Sequence, residues 1–154
     1  TFSLSGIELS IKFLCWVVLN SGTAAGQGPC NFASLCDSNE NGNDGYYGKG
    51  SVLLNNEIKQ EERPMSYYTR YLPQRYCKNH IPDVDRIGMY SFALTPFDYQ
   101  PTGTCNFNRL TNKDIKLTLA NNTRSTVTNK PIHFFAVNYN ILTINGGISG
   151  LKYK

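Results

Sequence analysis

The chain has no long apolar run. Phe13 to Leu19 spans seven residues and follows Glu8 and Lys12, far short of the roughly twenty residues a membrane-spanning helix needs. Histidine occurs only at His80 and His133, too far apart in sequence to suggest the clustered imidazole and carboxylate ligands of a cupin-like or zinc site. G-x-S-x-G, H-E-x-x-H, a P-loop and a Gly-rich dinucleotide fingerprint are all absent, so no positive feature points to an enzyme. The five cysteines, Cys15, Cys30, Cys36, Cys77 and Cys105, are odd in number and form no C-x-x-C pair. A zinc site or a disulfide framework would show other spacings. Cys15 and Cys105 read instead as small buried hydrophobes in a reducing compartment, while the Cys30 to Cys36 spacing leaves a small loop disulfide open. Charge is sparse at 17%, and the net +4 comes from fifteen Lys and Arg spread so that no basic run exceeds two. Nucleic-acid surfaces cluster their cations, so direct DNA or RNA binding is not expected.

What the chain does have is aromatic and β-forming residues. Ten Tyr and eight Phe alternate with polar residues between Asn, Gly, Ser and Thr turns, a balance that suits β-sheet. From Ile7 to Leu19 the odd positions are apolar, and the even ones change from Glu8, Ser10 and Lys12 to Leu14, Trp16 and Val18. Such a strand starts half exposed and becomes covered on both faces. Asn20 to Gly50 holds over half of the thirteen glycines and reads as a long surface loop, functional or mobile at that length. Within it, Asp37 to Gly45 superficially suggests calcium, without EF-hand spacing or a terminal Glu. Strand signals resume at Ser51, with Val52, Leu54 and Ile58 on one face. Lys59 to Pro64 reads as a charged bend before Tyr67, Tyr68, Tyr71 and Leu72, and Gln74 to Arg86 as loop. There, Asp83 and Asp85 lie beside Lys78 and Arg86 with nothing apolar around them to raise a pKa. Solvation or ion pairing explains them better than catalysis.

Further on, Ile115, Leu117 and Leu119 alternate with Lys116 and Thr118, giving a half-exposed strand. Asn121 heads a chance N-x-T sequon. Ile132 to Ile144 reads as a central strand covered on both sides, and Asn145-Gly146 closes a hairpin before a last strand at Ile148 to Tyr153. About seven strands and no convincing helix predict two packed antiparallel sheets, one strand short of an eight-stranded jelly roll. The missing strand is expected before Thr1, because the chain opens without Met and enters a strand pattern within a few residues.

The segment Tyr90 to Leu110, YSFALTPFDYQPTGTCNFNRL, organises the rest. It opens with Tyr90, Phe92 and Leu94 on one face and Ser91, Ala93 and Thr95 on the other, then Pro96, Pro101 and Gly103 force it out of the sheet and round a turn. Its PFDYQPTGTCNFNRL, preceded by GMYSFAL and followed about twenty-five residues later by FAVNYNILTINGGISGLKYK, closely resembles the C-terminal part of the major capsid proteins of nucleocytoplasmic large DNA viruses. Residues 14–20 and 53–73 resemble that family's earlier strands more weakly.

The resemblance implies an all-β antiparallel sandwich of jelly-roll type over residues 1–154, one of the two rolls of a double jelly-roll protein, lacking its first strand and carrying the 20–50 loop on an exposed face. It implies a structural virion protein with no enzymatic activity and no cofactor or metal. Such proteins form homotrimers whose six rolls give a pseudo-hexagonal capsomer. Capsomers contact their neighbours and minor capsid proteins and tile an icosahedral shell around double-stranded DNA, often over an internal membrane, after assembly in the host cytoplasm. Gln100, Pro101, Gly103, Thr104, Cys105, Asn106, Phe107 and Arg109 match the family signature. They are expected to brace the corner after a core strand. A competing reading is a carbohydrate-binding or attachment β-sandwich using the Asn/Gly-rich loop and surface tyrosines, although a single tryptophan argues against a sugar-stacking face.

Overall fold

The computed structural model describes residues 1–19, 32, 35, 47–77, 85–119 and 131–152. Among these, ten strands form two larger antiparallel sheets and a separate C-terminal hairpin. The first sheet runs in the order β1 (Phe2–Ser3), β7 (Lys113–Leu119), β3 (Tyr47–Leu54), β4 (Glu57–Pro64). The second is built on β2 (Ser10–Val18), which pairs with β5 (Ile87–Ser91) and β6 (Cys105–Asn106). Its other partner is β8 (Ile132–Asn138). Ile11 pairs with both Cys105 and Asn138, and Phe13 to Val17 pair with both β5 and β8. Each strand has only two edges, so β5 and β6 follow one another along one side of β2 and β8 takes the other.

β2 is central, as its apolar pattern predicts, but its phase shifts partway. Ile11 is 1% exposed, yet farther along Leu14, Trp16 and Val18 are the residues fully turned inward. A register irregularity in the pairing with β8 between Ile11 and Phe13 accounts for the change, because one extra residue in a period-2 strand swaps its faces. A two-residue turn has a similar effect at Asn55 and Asn56, both at positive φ. It sets Ile58 opposite Leu53, on the face away from Val52 and Leu54. Ile58 is therefore exposed rather than sharing their face, and Lys59 to Pro64 is a strand rather than a bend. Tyr47 to Gly50, expected in the long loop, already belongs to β3.

A helical segment follows β4, contrary to the all-strand expectation. Tyr67–Tyr71 makes a wide π-helical turn and Leu72–Tyr76 (α1) continues as α-helix, so the loop expected from Gln74 begins later. The buried residues are Met65, Tyr68, Thr69, Leu72 and Pro73, the spacing of one helix face. The core lies between the two sheets. Trp16 packs against Tyr68 and Phe134, with ring centroids 5.6 and 6.2 Å apart, and Phe2 of the first sheet meets Phe134 of the second at 5.7 Å. Leu35 is also fully buried in this cluster, so the 20–50 stretch is not all surface loop. β8 alternates, with Ile132, Phe134 and Ala136 half-buried against the core and His133, Phe135 and Val137 exposed. It is covered on one side only. The expected hairpin forms from β9 (Leu142–Asn145) and β10 (Ile148–Leu151), but its turn is Gly146-Gly147, one residue later than Asn145-Gly146, because Asn145 still pairs with Ile148.

Gly88 stands opposite Trp16 in the register, and the indole ring fills the space that a Cβ there would occupy. A methyl group there would overlap the ring of the fully buried Trp16. Gly88→Ala is expected to lower unfolding free energy by about 1–3 kcal/mol, read from the urea midpoint. The emission of the single tryptophan should shift as its ring is displaced, and wild-type stability with unchanged emission would refute this packing.

Candidate functional site: a braced corner and an open apolar face

The chain leaves the sheet at Ser91, earlier than the alternation suggests. Ser91 Oγ accepts from Ala93 N at 3.1 Å and donates to Ala93 O at 2.8 Å, a local loop that competes with strand pairing. Leu94 is consequently exposed. The two limbs of the excursion are joined at Thr102, whose Oγ1 accepts from Thr95 N at 2.9 Å and lies 3.1 Å from Thr95 Oγ1. Gly103 then passes against the departing strand with φ of +147°. A Cβ there would lie 2.9 Å from the Phe92 carbonyl oxygen, so both conformation and space demand glycine.

Beyond Gly103 the chain re-enters the second sheet. Cys105 and Asn106 pair with Ile11 and Ser10. Asn106 Oδ1 accepts from Asn108 N at 3.1 Å, capping a single 3₁₀ turn, Phe107–Arg109. That turn grips Leu9: Phe107 N donates to Leu9 O at 2.9 Å, and Leu9 N donates to Asn108 Oδ1 at 2.9 Å. Leu9 has φ of 73°, costly for a branched side chain, and these two bonds hold it there. Phe107 is fully buried, edge-on to Phe92 at 5.6 Å, with Lys113 Nζ 5.7 Å from its ring centre. Lys113, itself buried, donates to Ile7 O at 3.0 Å.

The eight signature residues therefore divide. Gly103, Cys105, Asn106 and Phe107 make the contacts just described, whereas Gln100, Pro101, Thr104 and Arg109 are exposed. Leu9, Thr102 and Asn108 were missed. An Asn two places after another Asn in a turn was the available signal for Asn108; Leu9 offered none. Asp85 is ion-paired with Arg70. Arg70 donates to both carboxylate oxygens at 2.7 Å, and Thr69 Oγ1 stands 3.0 Å from Oδ1. Asp83, Lys78, His80, Cys30, Cys36, Asp37 to Gly45 and Asn121 lie outside the described residues. Among those described, no three His, Cys, Asp or Glu side chains come close enough to hold a metal ion, and no helix is long and apolar enough to cross a membrane.

A sequence profile described as "Large eukaryotic DNA virus major capsid protein" matches residues 7–150. The chain belongs to this major capsid protein family. It is 40% identical over 103 residues to the major capsid protein of Phaeocystis pouchetii virus, which covers 67% of this chain and 19% of that protein. To the major capsid protein of Paramecium bursaria Chlorella virus 1 it is 29% identical over 157 residues, covering 86% of this chain and 35% of that one. The PBCV-1 virus capsid model superposes over 99% of the chain and 45% of its own with a TM-score of 0.72 at 23% identity. That likeness concerns the fold, and the sandwich is of jelly-roll type. The chain thus spans less than half the length of these capsid relatives.

This capsid-family sandwich leaves much apolar surface open. On the outer face of the second sheet, Phe97 packs on Phe13 at 5.3 Å, and Phe13 pairs with the exposed Val137. Next to them Cys15 pairs with Phe135, 53% exposed. The C-terminal hairpin exposes Leu142, Ile144, Ile148 and Leu151, and Tyr99 is fully exposed. Tyr68 and Tyr90, by contrast, are turned toward the core, and burial pushes both phenols up in pKa, so neither is a surface platform for a sugar.

Gly103→Val is expected to cost about 1–3 kcal/mol through forced φ and the clash with the Phe92 carbonyl. Thr104→Val next to it should stay within about 0.5 kcal/mol. Equal urea midpoints for the two variants would remove the corner from the list of structural constraints. Burial raises the Cys105 thiol pKa, with Lys59 opposing weakly. The thiolate fraction at neutral pH is therefore reduced, and labelling by an aromatic disulfide reagent should be slower in the folded chain than in urea. Equal rates would contradict the burial.

Proposed function

We propose that these residues form the C-terminal jelly roll of a longer major capsid protein, one that assembles as trimeric, pseudo-hexagonal capsomers into the icosahedral shell of a large DNA virus. The observation that carries this reading is the family match from residue 7 to residue 150. Its role is structural rather than catalytic, with the virion as its location and neighbouring capsomers and minor capsid proteins as partners.

The physical case is consistent with that role. Two cross-braced sheets make a stiff block, and the corner at Gly103 to Arg109 ties the outgoing and returning limbs of one strand to the segment leading into β2. This corner fixes the shape of one end of the block. The apolar outer face and hairpin supply the kind of surface that subunit and domain interfaces bury. A carbohydrate-binding module is the weaker reading, because the large aromatics at the centre of the fold are spent on the core.

The test is the solution mass of the full-length protein, by light scattering during size exclusion, with electron microscopy of the peak. The expected outcome is a trimer of hexagonal outline. A well-behaved monomer would reject the capsomer and bring the sugar-binding module forward, to be tested by loop-dependent binding on a glycan array.

A further inference from the structure

Trp16 is fully buried, and its Nε1 has no hydrogen-bond partner among the described residues. A buried indole N–H ordinarily finds one. Two kinds of ring touch this indole. On one side stands Phe134, itself against Phe2, and phenyl rings do not readily give up an electron. On the other side a line of phenols begins. Ring centroids are 5.6 Å apart from Trp16 to Tyr68, 5.2 Å from Tyr68 to Tyr67 and 5.3 Å from Tyr67 to Tyr71, the last two rings stacked at 17°. The line starts at a ring sealed in the core and ends at one that is 50% exposed. Indole and phenol are the most easily oxidised rings a protein contains, and electrons pass rapidly between rings in contact.

Protons decide where on this line a positive charge can stay. An indole that has lost an electron becomes acidic at its N–H, but Trp16 Nε1 faces no acceptor, so the oxidised ring keeps its charge and remains a strong oxidant. A phenol gives up an electron easily only when its proton can leave at the same time. Tyr68 Oη donates to Gly50 O at 2.9 Å, and Tyr67 Oη lies 3.5 Å from Gln60 Oε1. Peptide and amide oxygens are too weakly basic to keep that proton. Burial acts in the same direction, pushing the Tyr68 phenol up in pKa. Tyr71 alone of the four stands half in water, which takes the proton away.

We propose that Trp16, Tyr68, Tyr67 and Tyr71 form an oxidation relay that moves one-electron damage from the core to the surface. Near-ultraviolet light ejects one electron from the Trp16 indole, dissolved oxygen takes it as superoxide, and a radical cation is left on the ring. One electron then passes from Tyr71 to Trp16 by way of Tyr67 and Tyr68. Trp16 is restored to its neutral form, the Tyr71 O–H bond breaks, its proton goes to water, and a neutral tyrosyl radical remains at the surface. There a soluble hydrogen-atom donor, a thiol or ascorbate, returns the electron and the proton together. The indole on which the packing of both sheets converges is thereby spared oxygenation. The relay is independent of how the protein assembles.

The test illuminates the full-length protein in air-saturated buffer, with light absorbed by indole and a nitroso radical trap present, and reads the products on peptides by mass spectrometry. Tyr99, fully exposed and outside the line, is the internal comparison. In the unaltered protein, trap adducts at Tyr71 should exceed those at Tyr99, and Trp16 should gain little oxygen. Tyr71→Phe keeps the stacked ring but has no phenolic proton to lose, so oxygenated Trp16 should rise several-fold. Tyr99→Phe should leave Trp16 at the level of the unaltered protein. Adducts at Tyr99 as abundant as those at Tyr71 would overturn the relay without any variant. Unchanged oxygenation of Trp16 in Tyr71→Phe, or an equal rise in Tyr99→Phe, would overturn it as well.

Discussion

The fold depends on Trp16 lying across Gly88. The indole is fully buried at the middle of the central strand, touches Tyr68 on one side and Phe134 on another, and so joins the helical segment to both flanks of the second sheet. An aromatic side chain of this kind buries about 150–250 Å². At about 25 cal/mol per Å² that amounts to roughly 4–6 kcal/mol as an upper estimate. The hydrogen bond from Tyr68 Oη to Gly50 O, 2.9 Å long, ties the same cluster to the first sheet but contributes only about 0.5–1.5 kcal/mol. Apolar burial therefore sets the stability here, and the polar contact sets orientation. The absent side chain at Gly88 is what lets the ring sit low enough to meet Tyr68.

The corner from Thr95 to Arg109 is built on the opposite logic. Little of it is buried apart from Pro96 and Phe107, and its shape comes from backbone groups satisfied by short polar side chains: Thr102, Asn106 and Asn108. A segment with two prolines and few donors cannot join a ladder, so these side chains replace the missing partners. The strained Leu9 shows the consequence at a distance. Its unusual φ is tolerated because both its N–H and its C=O are held from the corner, ninety-eight and ninety-nine positions away in sequence. The entry to the central strand and the exit from its neighbour are in this way one mechanical unit.

The exposed apolar residues follow from the same architecture. A sandwich interior is filled by one face of each sheet, and Phe135, Val137, Phe97 and the hairpin side chains fall on the other faces or beyond them.

The sequence by itself determined the β class, the central place of Ile11 to Val18, the half-exposed alternation of β7, the existence of the C-terminal hairpin and the family, because each rests on local periodicity or on a residue string. It left a trace of the helical segment too, since Met65, Tyr68, Thr69 and Leu72 recur at helical spacing, yet their aromatic, β-favouring character pulled the reading toward strand. Tertiary structure alone decided the rest. Whether an apolar strand is covered on one face or two depends on what packs above it, and nothing within Ile132 to Asn138 distinguishes the buried Phe134 side from the exposed Phe135 side. The faces of β2 and β4 turn on one irregular register step and one two-residue turn, and a shift of a single residue reverses every side chain after it. Arg70 was paired with Asp85 only when folding brought positions fifteen apart together. Periodicity is written in the chain; phase and coverage are set by what the chain folds against.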